Sequence, residues 1–311
     1  MYECEVAARG RSDAIRQHLP RLVVGLAGSL LHGIIQLGYG YRLGGELPLA
    51  EGLAYLHYSY LPFASGKEET PDHWTRDSTK TKLTPESAYA LLQDLINSIQ
   101  TTADMLRAHL QDPVFADVVQ GGLQRRLMSF SAHPTLRHHE LHNLVVATVD
   151  KLDLHDVDGT FAIDFIAWLY LLAPQNDFVL LHGVTSAWAL QQVEQHLSLA
   201  DRERAWKVWF RVALSAFLTR EIRELQGDVY SQLAQDESAL LSDIAALPPW
   251  DELIATTLAL GDNVDEHIIK FVQVMRDHAV SRANAQSFLT PAQRELLAKA
   301  AARKMLTVPL N

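Results

Sequence analysis

The amino-acid sequence predicts an all-α protein, a single large multi-helical domain spanning residues 1–311. Three observations lead there. Apolar residues recur at three- and four-residue spacing along the whole chain, and alternating runs of β-branched and aromatic residues bounded by turn dipeptides are scarce. Thr84-Pro85-Glu86 and Thr290-Pro291 each place proline at the first helical position behind a capping threonine.

In chain order, the periodicity predicts helices approximately over 13–19, 20–40, 48–62, 84–111, 113–127, 136–151, 160–173, 177–197, 201–222, 225–246, 250–260, 263–280 and 291–305. The second of these contains LVVGLAGSLLHGIIQLGYGY, with no charge between Arg21 and Arg42. About twenty such residues could cross a bilayer. His32, Gln36 and the helix-weakening Gly25, Gly28, Gly33 and Gly38 favour instead a central soluble helix, sustained by close packing against its neighbours.

The helix over 177–197 can be capped by Asn176 or Asp177 and has an apolar stripe of Leu180, Val184, Ala187 and Trp188. In the helix over 263–280, Asn263 and Glu266 resemble a capping box, and Ile268, Phe271, Val272 and Met275 form the core stripe. Between the helices over 48–62 and 84–111, SGKEETPDHWTRDSTKTK at 65–82 is polar and aperiodic, as a surface loop or lid would be. There is no fixed-period repeat, and the helices on both sides of this loop look equally core-like, so one domain is expected.

Composition narrows the function. A net charge of -10 leaves no surplus of Lys and Arg to displace counterions, so nucleic acid is not an expected partner. The single cysteine, Cys4, permits no intramolecular disulfide and no thiolate cluster, which suits the reducing cytoplasm. The opening MYECEVAARGRSD lacks the basic start and apolar core of a signal peptide. GLAGSLLHG lies inside a helical pattern with no βαβ unit around it, so no NADPH or flavin fold is indicated.

Chemistry is sought among the fourteen histidines. His18, His73, His109 and His196 sit in polar surroundings, as solvated histidines do. Three others lie in apolar helical runs. His32, Gln36 and Tyr39 share one helix face, and the His32 imidazole could be satisfied by Gln36 or by a metal. His182 shares a face with Thr185 and Ser186, whose hydroxyls could orient the ring or bond the preceding turn. His267 and Lys270 sit one turn apart beside a core stripe. A lysine there ordinarily snorkels to water. Buried, it would favour the neutral amine, which reacts with carbon dioxide to give a carbamate, an anionic oxygen ligand.

The segments HGIIQLGYGY, EGLAYLHYSYLP, DFVLLHGVTSAWAL and DEHIIKF, in this order from about Leu19 to Met275, resemble the recurring blocks of questin oxidase-like proteins. The resemblance implies an oxygenase of polyketide metabolism that opens a ring of an anthraquinone-like substrate with dioxygen. The reaction is described either as Baeyer–Villiger chemistry, with NADPH, or as cleavage at a non-haem iron. Carried over by position, His32, His182 and His267 would be iron ligands, and Lys270 a carboxylated lysine completing the set. Imidazoles with one hard oxygen suit ferrous iron. Tyr39 and Trp188 could flank a planar substrate, although at helical spacing such aromatics more often belong to the core. Longer relatives carry a further histidine segment ahead of these blocks, where this chain has only His18, so the shell could be incomplete, supplied differently by His57 or His142, or lost altogether.

Two other readings compete. His138, His139 and His142 in LRHHELHN, with His155-Asp156, would make a metal-dependent phosphohydrolase. A helical scaffold or binding module, whose histidines satisfy one another, needs no metal at all.

Overall fold

A computed structural model of the chain describes residues 1–63, 139–150, 157–173, 175–218, 233–261, 264–281 and 289–308, with the single positions 90, 94, 97, 127 and 154. Among the described residues the protein is all-α, with no strand and one isolated bridge between Leu26 and Leu61. No helix among them is long and apolar enough to cross a membrane. The 65–82 loop and the helices expected over 84–111 and 113–127 lie outside the described residues, apart from isolated positions. Contacts gather the chain into two units: Met1–Val157 with Ala189–Ile222, and Asp158–Trp188 with Arg223–Asn311.

The first unit begins with α1 (Tyr2–Arg9), which the sequence pattern did not reveal because only Tyr2 and Val6 mark its buried face. It is followed by α2 (Arg11–Leu22), α3 (His32–Leu43) and α4 (Glu46–Tyr58). The helix expected over 20–40 is therefore not continuous. After Leu22 the chain makes two 3-10 turns, Val23–Gly25 and Gly28–Leu31, before α3 starts at His32. Its carbonyls are claimed from outside: Leu61 N donates to Gly25 O at 3.3 Å and Phe63 N to Val24 O at 3.2 Å. A Cβ on Gly28 would fall 1.6 Å from the Ser59 carbonyl oxygen, so only glycine fits.

Ser29, Leu30 and Leu31 then take left-handed φ values of 49°, 51° and 67°. Each costs an L-residue about 1–2 kcal/mol. Beyond this break the close packing expected of the glycines does occur. The Cβ position of Gly52 on α4 lies 2.4 Å from the Leu37 Cα of α3. The same unit holds α5 (His139–Asp150) and α8 (Leu199–Leu218). They pack together, and Asp150 lies 3.2 Å from Lys207 Nζ and 3.8 Å from Arg211 Nη2.

The second unit is built on α6 (Gly159–Leu172), capped by Asp158, whose side chain accepts from Phe161 N. Every residue of α6 except Leu171 is buried, as its all-round apolar composition requires. The unit also holds the early part of α7 (Phe178–Val193, whose residues from Ala189 belong to the first unit), α9 (Glu237–Ala246), α10 (Trp250–Ala259), α11 (Glu266–Val280) and α12 (Pro291–Thr307), and α12 packs against α6, α9, α10 and α11. The Thr290-Pro291 start is as expected, with a full capping box closed by Gln293.

Two polar clusters pin this apolar unit. Asp164, fully buried in α6, accepts from His278 Nε2 of α11 at 2.6 Å and lies 3.5 Å from Arg294 Nε of α12. At the other end of α6, Lys304 Nζ donates to Tyr170 O at 2.6 Å and Ala173 O at 2.5 Å, a cation at a helix C-terminus. Asn176 does not cap α7. It is buried, accepts from Tyr170 OH and donates to Val308 O and Met305 O, which ties α6 to the end of α12. The α7 cap is Asp177, whose carboxylate accepts from Val179 N at 2.8 Å and Leu180 N at 3.0 Å.

Two outcomes follow from this packing. Gly28→Ala forces a methyl group onto the Ser59 backbone and is expected to cost about 1–3 kcal/mol or more, read from denaturant unfolding. Burial pushes the Lys304 ammonium down to about 8 from 10.5. Between those values the unfolded chain holds a proton that the folded chain has lost, so this residue makes stability rise with pH across the window. Below about 8 both states are protonated and the contribution is flat. Lys304→Met removes the titration, and the difference between its denaturation midpoint and that of the parent should change with pH only within that window.

Candidate metal centre

His182 sits in the second turn of α7 and is fully buried. Its Nδ1 lies 2.7 Å from Phe178 O, one turn back. A carbonyl can only accept, so Nδ1 carries the proton, and in the neutral ring Nε2 holds the lone pair. Thr185 and Ser186 follow on the same helix. Their hydroxyls bond the preceding turn, Thr185 Oγ1 to Leu181 O at 3.1 Å and Ser186 Oγ to Gly183 O at 3.0 Å.

His267 is the second residue of α11. The helix is capped by Asp265, whose Oδ1 accepts both from His267 N at 2.9 Å and from His267 Nδ1 at 2.5 Å. Again Nδ1 is the protonated nitrogen, and the Nε2 atom is shielded from solvent. Burial pushes the Asp265 carboxyl up, but the backbone and side-chain hydrogen bonds from His267 outweigh it and hold the group below its usual range. Asn263, expected as the cap, lies outside the described residues.

These two imidazoles meet within the second unit. Their ring centroids are 4.9 Å apart, and each offers a ring nitrogen within 4.8 Å of the other. Phe178 covers both, its ring 4.3 Å from that of His182 and 5.0 Å from that of His267.

His32, in the first unit, opens α3 directly after the left-handed turn at 29–31. Its Nδ1 lies 2.5 Å from Ser29 O, so here too Nε2 is the nitrogen left with a lone pair. The ring is half-buried and tilted against Tyr55 at 6.5 Å. Gln36 and Tyr39 follow on the same face of α3, also half-buried.

Lys270 is held elsewhere. Its Nζ pairs with Glu266 Oε2 at 2.8 Å, one turn back on α11, and its side chain is 30% exposed. The hydrogen bond from Lys270 holds the Glu266 carboxyl below its usual range. Carbamate formation would first have to break this ion pair. Trp188 is buried in the core.

Of the other histidines, His57 is engaged through Nδ1 with Tyr2 OH at 2.8 Å. His18 and His196, expected in solvent, are both partly buried. His18 packs on the Tyr2 ring, while His196 Nε2 bonds Tyr41 OH at 2.8 Å and burial pushes its imidazole down. His139 and His142 lie on α5, while His138, His155 and Asp156, together with His73 and His109, fall outside the described residues. Sequence reasoning missed Asp265 and Phe178. The signal for the first was an acidic residue two positions before a histidine at a helix start, and for the second an aromatic residue one turn before His182.

A comparison with curated proteins finds no match. The profile of the questin oxidase-like family, whose name denotes oxidase-like enzymes, matches residues 1–275. That span runs from α1 into α11 and takes in His32, His182, Asp265, His267 and Lys270. The chain belongs to the questin oxidase-like family.

Proposed function

We propose that this chain is an oxygenase that opens a ring of an aromatic, anthraquinone-like polyketide at a non-haem iron with His182 and His267 among its ligands, and that it works in the cytoplasm. One observation carries the reading: in both imidazoles Nδ1 is committed to an oxygen of its own chain segment, Phe178 O or Asp265 Oδ1, so that in the neutral ring Nε2 carries the lone pair a metal would take, and in the first unit His32 is presented in the same way by Ser29 O. The donor set fits the metal. Neutral imidazoles bind iron, zinc or copper, and the choice of iron rests on the family.

When bound, iron would supply the activation of dioxygen. The chain's own residues then have separate tasks. Ser29 O, Phe178 O and Asp265 fix the rings. The Phe178 ring excludes water and offers an apolar face against which a planar aromatic substrate could stack. Lys270, in its ion pair with Glu266, stands outside this ligand set.

Protein produced with iron in the medium is expected to carry it in stoichiometric amount, and His182→Ala and His267→Ala should lose it while keeping their helical circular dichroism. Lys270→Met should keep the iron. Loaded protein should consume dioxygen with an anthraquinone. An iron-free parent whose thermal stability does not respond to added iron would sink the reading in favour of a scaffold. Manganese-dependent phosphatase activity would favour the phosphohydrolase.

A further inference from the structure

We propose that Asp265 is the positioning residue of the centre: its carboxylate fixes which nitrogen of His267 faces a ligand. The inference rests on the metal-centre reading above for its purpose, though not for its geometry. A helix cap needs only the contact from His267 N to Asp265 Oδ1, at 2.9 Å. The same oxygen also takes the Nδ1 proton at 2.5 Å, a contact that capping does not require. His267 is two residues beyond the cap, so its ring can fold back over the carboxylate while its backbone N–H is still one of the unsatisfied donors of the first turn.

Two consequences follow. With Nδ1–H bound to a carboxylate, the imidazole is held as the tautomer with its lone pair on Nε2, the nitrogen shielded from solvent beside His182 and Phe178. The negative charge also makes that lone pair a stronger donor, the arrangement by which outer carboxylates tune histidine ligands. At His182 the Nδ1 contact is with the neutral carbonyl of Phe178, at 2.7 Å.

Substitution separates capping from positioning. Serine and asparagine cap helices about as well as aspartate. Asp265→Ser therefore keeps the cap and removes the carboxylate from the ring, and Asp265→Asn keeps an acceptor of the same shape without the charge. Both should unfold at the parent temperature. In metal-free protein, side-chain nitrogen chemical shifts of His267 should report one tautomer, protonated at Nδ1, in the parent and a mixture in Asp265→Ser. Titrated with cobalt(II) and followed by its absorption, Asp265→Ser should bind ~10–100-fold more weakly than the parent, with Asp265→Asn between them.

The two ideas fail in different ways. If Asp265→Ser leaves both the tautomer and the cobalt affinity unchanged while His267→Ala abolishes binding, the centre stands and the positioning role is overturned. If the parent itself binds neither cobalt nor iron, the oxygenase reading fails, and the tautomer measurement alone decides the role: a mixture in Asp265→Ser upholds it and a single unchanged tautomer overturns it.

Discussion

The amides of Leu61 and Phe63 take the carbonyls of Gly25 and Val24, and much of the first unit follows from that exchange. A helix that gives away two carbonyls to a passing segment cannot continue through them. The chain turns left-handed at Ser29–Leu31 and restarts at His32. A histidine that would have been one more side chain in mid-helix becomes the first residue of α3, with the Ser29 carbonyl in reach of its ring. Three consecutive non-glycine residues with positive φ are costly, and strain of this kind is characteristically kept where a side chain must be aimed. Here it lies immediately before a candidate ligand.

The second unit solves the same problem of buried polarity by pairing. An aspartate in the middle of a wholly buried helix is tolerable only because an imidazole and a guanidinium from two other helices are brought to it. The amide of Asn176 and the ammonium of Lys304 do likewise for the carbonyls at the ends of α12 and α6. The His182–His267 pair is made differently. Each ring settles its Nδ1 locally, on Phe178 O or Asp265 Oδ1, and the Phe178 ring packs against both.

Much of this was legible in the sequence. The all-α class, the capping box at Thr290 and the apolar stripes of α7 and α11 are local patterns, and local patterns survive folding. The choice of His32, His182 and His267 over the other histidines rested on a pattern of the same kind, since an imidazole in an apolar run needs a reason to be there. What was not legible depended on partners distant in the chain. The break at 23–31 is imposed by residues 59–63, and the pull of Asn176 away from α7 is imposed by residues 305–308. Lys270 was ambiguous because its neighbour Glu266 and an ordinary core stripe predict opposite environments for it, and burial is a tertiary property.

The order of segments in the second unit carries one more implication. Asn176 grips Met305 O and Val308 O, 129 and 132 residues further on, and Asp164 waits for His278, 114 residues away. On the ribosome, therefore, α6 emerges as an apolar rod more than a hundred residues ahead of the His278 and Met305 that it is later joined to. Chains of this design are vulnerable to aggregation during synthesis rather than after it, and a chaperone acting on the nascent chain would be needed most in the interval between α6 and α12.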